Sequence, residues 1–443
     1  MRDRVTHPFL TRLAQLELAQ PHGFVRKVAA GHYEADGPEL ALGELCSIEA
    51  AGAGSVLAQV AAVDSSGLVL VPLETNGAVR TGSRVDPRSG GTRVGVGDGF
   101  TGRAVDALGR PIDGGAPIVP TAFAPLGGAV PRPLERTEPA QILTTGLRAI
   151  DGLLTLGEGQ RIGVFAASGV GKTSLVWQLV HQIGCDRCVL CLVGERGGEV
   201  EALWRSLSTR DDVERFALVA ATSDESAAMR VRSVNVALAL AEYWRDRGER
   251  VLLVVDSVTR FAMAHREIGL AAGEPPTLRA YTPNVFAALP RLVERCGAVR
   301  GGGSITAVLS VLAETDDVDD PIVEIMKSLL DGHIVLSRAL AERGHFPAID
   351  VARSVSRHAI RLMDAGQAAD ARAALAALAT YEDARVMIES GIYKHGASSE
   401  IDRAIAIRAR LLEFLPQARS DATAFATTAA RLRAAVAQGV ARG

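Results

Sequence analysis

Apolar residues change their spacing along this chain, and each change marks a different kind of structure. From about Gly23 to Pro87 they recur in short stretches, GFVRKV, VLAQVAAV and LVLVPL, separated by Gly, Asp, Ser and Asn. Short β-branched runs broken by turn formers predict a small antiparallel barrel. Further on, continuous apolar runs take over: RIGVFA, CVLCLVG, FALVAATS, VLLVVDS, SITAVLSVL and GHIVLS, with helical segments between them. Strands of this kind alternating with helices predict a parallel sheet flanked by helices. The turn-rich VGVGDGFTGRAVDALGRPIDGG reads as the lead-in to that region. Beyond about Ser354 the strands stop. AADARAALAALATYEDARVMIES, SEIDRAIAIRARLLEFLPQ and ATAFATTAARLRAAVAQ carry helical period and predict a C-terminal helical bundle. At the other end, Phe9, Leu10, Leu13, Leu16 and Leu18 give residues Pro8 to Ala19 the apolar side of a short amphipathic helix.

Composition narrows the class. The chain has 443 residues, a net charge of −3 and 48% hydrophobic residues, with only 4% aromatic, so alanine does much of the packing. A near-neutral balance is not the footprint of a general nucleic-acid binder. No apolar run reaches transmembrane length, and MRDRVTHPFLTRL lacks the apolar core of a signal peptide, which predicts a cytoplasmic protein. Five cysteines, an odd number, argue against a disulfide framework. Cys185, Cys188 and Cys191 have metal-like spacing, but closed structural zinc usually takes four ligands as two separated pairs. Cys188 and Cys191 also fall three apart in an apolar strand, facing opposite ways. Small buried thiols are the expectation.

The candidate chemistry begins at AASGVGKTS, Ala166 to Ser174, which follows the strand RIGVFA and opens the helix SLVWQLV. Strand, Gly-rich loop, Lys-Thr and helix are the context of a phosphate-binding loop. Its glycines let backbone N–H groups approach phosphate oxygens, and the helix N-terminus adds partial positive charge. Lys172 is expected to reach the β/γ-phosphates, and Thr173 to hold Mg²⁺. The first position of the strict pattern is Ala166 rather than Gly. Asp256, at the end of VLLVVD, is placed to hold the Mg²⁺ shell. Glu195 in LVGERGGEV is the candidate for orienting the attacking water, with Glu199 competing one turn on. Arg357, at the end of FPAIDVARSVSR, is either a surface charge or an arginine finger directed at a neighbouring subunit.

Together TGLRAIDGLLTLGEGQRIGVFAASGVGKTSL, LVGERGGEV, VLLVVDSVTRFAMAHREIGLAAGEPPTLRAYTPNVFAALPRLVERCG, GSITAVLSVLAETDDVDDPI and LDGHIVLSRALAERGHFPAIDVARSVSR resemble the ATPases of type III protein secretion. That group includes the flagellar export ATPases and is similar to the catalytic subunit of rotary ATP synthases. The resemblance is strongest from about Gly102 to Arg357 and weak in the first eighty residues.

It implies an α/β fold: an N-terminal helix or extension (1–22), a β-barrel (23–88), a RecA-like P-loop ATPase domain (89–356) and a C-terminal α-helical domain (357–443). It implies a homohexamer that binds ATP with Mg²⁺ between subunits. Carried onto this chain, the nucleotide-binding residues are Gly169, Val170, Gly171, Lys172, Thr173, Ser174 and Phe346, the last packing adenine. Lys172, Glu195 and the Arg357 finger are catalytic, and Thr173 and Asp256 serve the metal. Arg196 and Arg260 sit in matching motifs. The implied partners are a stator-like regulator near the N-terminus, a coiled-coil stalk, and chaperone–effector complexes. The implied location is cytoplasmic, peripheral to the inner membrane at the export apparatus. RAID, GEGQR and FAASG look more like the virulence injectisome enzymes than the flagellar ones. An RNA translocase of the terminator type would need an aromatic, basic groove in the barrel, where only Phe24 and Tyr33 are aromatic.

Overall fold

The computed structural model describes residues 21–52, 54–74, 77–313 and 320–437. The Pro8–Ala19 helix expectation lies outside them. β1 (Gly23–Ala29), β2 (His32–Ala35), β3 (Leu45–Ala50), β4 (Gly54–Asp64), β5 (Gly67–Pro72) and β6 (Arg84–Arg88) close into an antiparallel barrel in the order β1-β2-β5-β4-β3-β6. Successive side chains on a strand point to opposite faces. Cys46 with Ile48, Ala58 with Val60 and Leu68 with Leu70 therefore share the interior with Val25, Ala35 and Val85.

Behind the barrel a ten-stranded sheet forms the centre of the molecule. Its main path runs Val355–Ser356, Gly332–Val335, Arg161–Ala166, Ser304–Leu312, Arg250–Asp256, Arg187–Glu195, Phe216–Thr222 and Arg103–Val105. Apart from the antiparallel Val355–Ser356 edge, neighbours on this path are parallel. The central strands are mostly apolar because both faces are covered. Cys188, Leu190 and Leu192 face one core, whereas Val189, Cys191 and Val193 face the other. The two cysteines thus diverge as their spacing requires. Cys185 departs from the expectation of buried thiols, being only partly covered. The middle of the lead-in, Arg103–Val105, becomes an edge strand of this sheet.

Helix Ala365–Glu389 buries Ala368, Ala371, Ala374, Ala377, Tyr381 and Ala384, a stripe at helical spacing. It packs on Ser399–Phe414, which buries Ala404, Ile407, Leu411 and Phe414, and on Phe425–Ala437. Asp364 and Ser398 cap the first two, accepting hydrogen bonds from Gln367 N at 2.8 Å and Ile401 N at 3.4 Å. Arg148 fastens this bundle to the sheet domain: its backbone N–H donates to Gln417 Oε1 at 3.0 Å, and Nε donates to the Phe414 carbonyl at 2.6 Å. Among the described residues no helix is long and apolar enough to cross a membrane.

One buried ion pair secures the helices behind the sheet. Arg295 donates to both carboxylate oxygens of Glu242, at 2.6 and 2.9 Å, and to the Leu126 carbonyl at 2.9 Å. Its side chain is 3% exposed. Removing one partner strands a buried charge, so Arg295→Ala is expected to cost about 3–5 kcal/mol in urea unfolding. Arg295→Met combined with Glu242→Leu is expected to recover most of that loss.

Candidate active site

Parallel strands deliver the residues at their C-terminal ends to one edge of the sheet. Arg161–Ala166 ends in the Gly-rich loop, Arg250–Asp256 in Asp256, and Arg187–Glu195 in Glu195. The ladder pairs Val255 with Leu309 and Leu192 with Asp256. Asp256 therefore stands opposite Ser310, and Glu195 reaches three residues beyond Asp256.

The loop turns through Gly169 and Gly171 at φ +79° and +99°, and Gly171 is the N-cap of helix Lys172–Gln182. The Lys172 ammonium forms an ion pair with Asp256 Oδ1, with only 10% and 5% of the two side chains exposed. Ser310 Oγ donates to the same carboxylate oxygen at 2.5 Å. Val170 is buried, while Gly169, Thr173 and Ser174 are exposed at the mouth of the site. Phe346 is 47% exposed, and its ring lies beside the loop, 3.6 Å from where a Cβ on Gly171 would stand. Its backbone carbonyl accepts Gln417 N at 2.8 Å, which ties the loop's neighbour to the helical bundle.

Glu195 is 7% exposed. Burial, then the Asp256 carboxylate, raises its pKa above the ordinary 4.5; Lys172 and Arg260 pull it back. Arg260 Nη2 donates to Glu195 Oε2 at 3.3 Å, its Nη1 donates to the Gly194 carbonyl, and its Nε is buried without a partner. A cavity of about 20 Å³, room for roughly one water, is lined by Thr173, Glu195, Glu199 and Asp256 above an apolar floor that includes Leu192 and Val254. Glu199, the competing acid, is exposed at its rim.

Arg357 belongs to the opposite edge. Its N–H donates to the Asp331 carbonyl at 2.9 Å, just after Ser356 pairs with Gly332. Gly332 in turn is level with Ile162, at the start of the loop strand. Four residues at ~3.3 Å each, about 13 Å, separate that level from Ala166 and the loop beyond it. The Arg357 side chain is exposed. The structure thus gathers Lys172, Thr173, Glu195, Asp256 and Phe346 at one edge and leaves Arg357 away from its own chain's loop.

Sequence reasoning missed Ser310 and the tie from Arg260 to Glu195. The signal for Ser310 was a hydroxyl inside the apolar run SITAVLSVL. The Arg260 contact had no local signal, because 65 residues separate it from Glu195.

The chain is similar to known proteins over nearly all its length. Residues 146–356 match the family model "ATP synthase alpha/beta family, nucleotide-binding domain", and residues 363–434 match "T3SS EscN ATPase C-terminal domain". It is 42% identical to the flagellum-specific ATP synthase of Bacillus subtilis over 90% of this chain and 92% of that protein. It is 43% identical to the type 3 secretion system ATPase of Sinorhizobium fredii over 88% of this chain and 87% of that one. The assembled ATPase EscN of enteropathogenic E. coli superposes with a TM-score of 0.89 at 38% identity, covering 94% of this chain and all of that one.

Gly194 shapes this site directly: it sits at φ +66°, at the irregular pairing that sets Glu195 against Thr222, and a Cβ there would stand 3.0 Å from Arg260 Cδ. Gly194→Ala is expected to lower stability by about 1–2 kcal/mol in urea unfolding, since only glycine adopts that conformation freely. From the loop geometry, the barrel-sheet-bundle architecture and these likenesses together, the chain belongs to the type III secretion and flagellar export ATPases, the protein-export branch of the ATP synthase alpha/beta family.

Proposed function

We propose that this chain hydrolyses ATP as a homohexamer to drive chaperone release, unfolding and export of proteins through a type III secretion apparatus of the injectisome kind. The observation that carries the hexameric reading is the separation of Arg357 from its own loop: a finger at the opposite sheet edge serves a neighbour's site, not its own. The solved relative EscN is an assembled ATPase, and in a second structure it is in complex with its central stalk EscO, which supports self-assembly and a stalk partner here. A stator-like regulator, chaperone–effector complexes and a berth at the inner-membrane export apparatus follow from the family likeness. RAID, GEGQR and FAASG favour the injectisome. Loss of effector secretion with motility intact in a deletion strain is the expected result; loss of motility alone would reassign the chain to flagellar export.

In the mechanism, loop N–H groups from Gly169 to Ser174 and the Lys172 ammonium hold the β/γ-phosphates, and Phe346 packs against adenine. The Thr173 hydroxyl and the Asp256 carboxylate are hard oxygen donors bordering one cavity, a set that fits Mg²⁺. The metal would neutralise phosphate charge there. Glu195 accepts a hydrogen bond from the attacking water and aligns it with the γ-phosphorus, held in place by Arg260. Arg357 of the neighbour stabilises the charge of the transition state.

Arg357→Ala is expected to reduce steady-state turnover by about 10³-fold or more while nucleotide binding largely survives. Unchanged turnover would remove the finger. Glu195→Gln is expected to bind ATP and barely hydrolyse it, and Lys172→Ala to lose both; normal turnover in Glu195→Gln would transfer the role to Glu199.

The pH dependence has a definite sign. Glu195 acts ionised and its pKa is raised, so the acid limb of kcat/KM lies above pH 4.5. Arg260→Gln removes a neighbouring positive charge, which moves that limb to higher pH. A limb that stays in place in this variant would separate Arg260 from Glu195.

A further inference from the structure

Arg357 stands on a segment that is moored on both sides of it. It lies between the edge strand Val355–Ser356 and the short helix Ala359–Leu362. Its N–H donates to the Asp331 carbonyl at 2.9 Å. On one side, Ser356 Oγ donates to the Thr155 carbonyl at 3.0 Å and accepts from Gln160 Nε2 at 3.0 Å, and both Thr155 and Gln160 are buried. On the other, His358 Nε2 stands 4.0 Å from Asp331 Oδ1. Only the Arg357 guanidinium is left over: it is exposed and makes no hydrogen bond or ion pair among the described residues.

Asp331 is held in turn by Arg161. Its Oδ2 accepts from the Arg161 backbone N and Nε, and its Oδ1 accepts from Nη2, each at 2.9 Å. The Asp331 N–H donates back to the Arg161 carbonyl at 2.9 Å. The two side chains are 18% and 15% exposed. A two-pronged arginine–carboxylate contact of this kind fixes direction as well as position. Arg161 Nη1 also donates to Glu294 Oε1 at 3.1 Å. Arg161 is the first residue of the strand that ends in the phosphate loop. The root of the strand that carries one site's loop therefore anchors the backbone from which Arg357 projects.

Resting on the reading of Arg357 as a finger, we infer that Asp331 is its positioning residue. Through Arg161 it fixes the backbone from which the arginine reaches the neighbour's site. Asp331 stands at the sheet edge away from its own chain's loop, level with the start of the loop strand. Its loss leaves that loop and Glu195 in place and loosens the finger alone. Misplacement by about 1 Å is enough to cost roughly 10²-fold in rate.

Asp331→Ala is expected to lower kcat by about 10²-fold with KM for ATP little changed. Co-assembly supplies the readout that a general structural defect would not give. Lys172→Ala subunits keep both Arg357 and Asp331. Mixed with them in equal amounts, Asp331→Ala subunits offer intact loops to well-placed fingers, and about a quarter of the interfaces regain activity. Mixed with Arg357→Ala, no interface has a well-placed finger, and turnover stays at the level of the separate variants. Wild-type turnover in Asp331→Ala, or a raised KM at unchanged kcat, would overturn the proposal. So would a failure of Lys172→Ala to rescue Asp331→Ala under conditions where it rescues Arg357→Ala. Rescue of neither variant would remove the finger reading and this proposal with it. If Asp331→Ala does not assemble, Asp331→Asn, which keeps one acceptor oxygen for Arg161, takes its place in the same mixtures. An Asn variant that also fails to assemble would assign Asp331 to folding and overturn the proposal.

Discussion

Because the central strands run parallel, residues that end a strand arrive together at one edge of the sheet, and residues that precede a strand sit at the other. The loop after Ala166, Asp256 and Glu195 all end strands; Asp331, whose carbonyl receives Arg357, precedes one. No side-chain rearrangement within one subunit closes the distance, since an arginine side chain is shorter than the four-residue step along the sheet. The division of the site between two copies of the chain is thus built into the register before any nucleotide is considered.

At the loaded edge the electrostatics are finely opposed. A lysine and an aspartate both withdrawn from water are tolerable only as a pair with further hydrogen bonds, and Ser310 supplies one to Asp256. Phosphate oxygens would offer Lys172 a stronger set of acceptors than the Asp256 carboxylate alone. Glu195 is buried beside that pair, and Lys172 and then Arg260 restrain the rise in its pKa. The same arginine fixes the Gly194 carbonyl, so one side chain sets both the position and the charge of the glutamate.

How much of this was readable in the sequence depended on how local the physics is. The barrel followed from short β-branched runs broken by turn formers, and the buried strands from unbroken apolar runs. The phosphate loop was legible because phosphate binding needs contiguous backbone N–H groups. The bundle followed from alanines at helical spacing in 365–389. Ser310 opposite Asp256 and Arg260 against Glu195 were not legible, because strand order and register set those contacts and neither is encoded near the residues concerned. Cys185 was misjudged for the same reason: its exposure depends on the turn between helix and strand, not on the neighbouring apolar run.

The shared site is the central claim, and mixed assemblies test it most directly. Arg357→Ala keeps the loop and loses the finger; Lys172→Ala keeps the finger and loses the loop. Each alone is expected to be inactive. Co-assembled in equal amounts, the two variants restore complete interfaces wherever a loop from the first meets a finger from the second. Random mixing makes that about a quarter of all interfaces, with ATPase activity recovering in proportion. A mixture as inactive as its components, with co-assembly verified by size and subunit composition, would contradict the account.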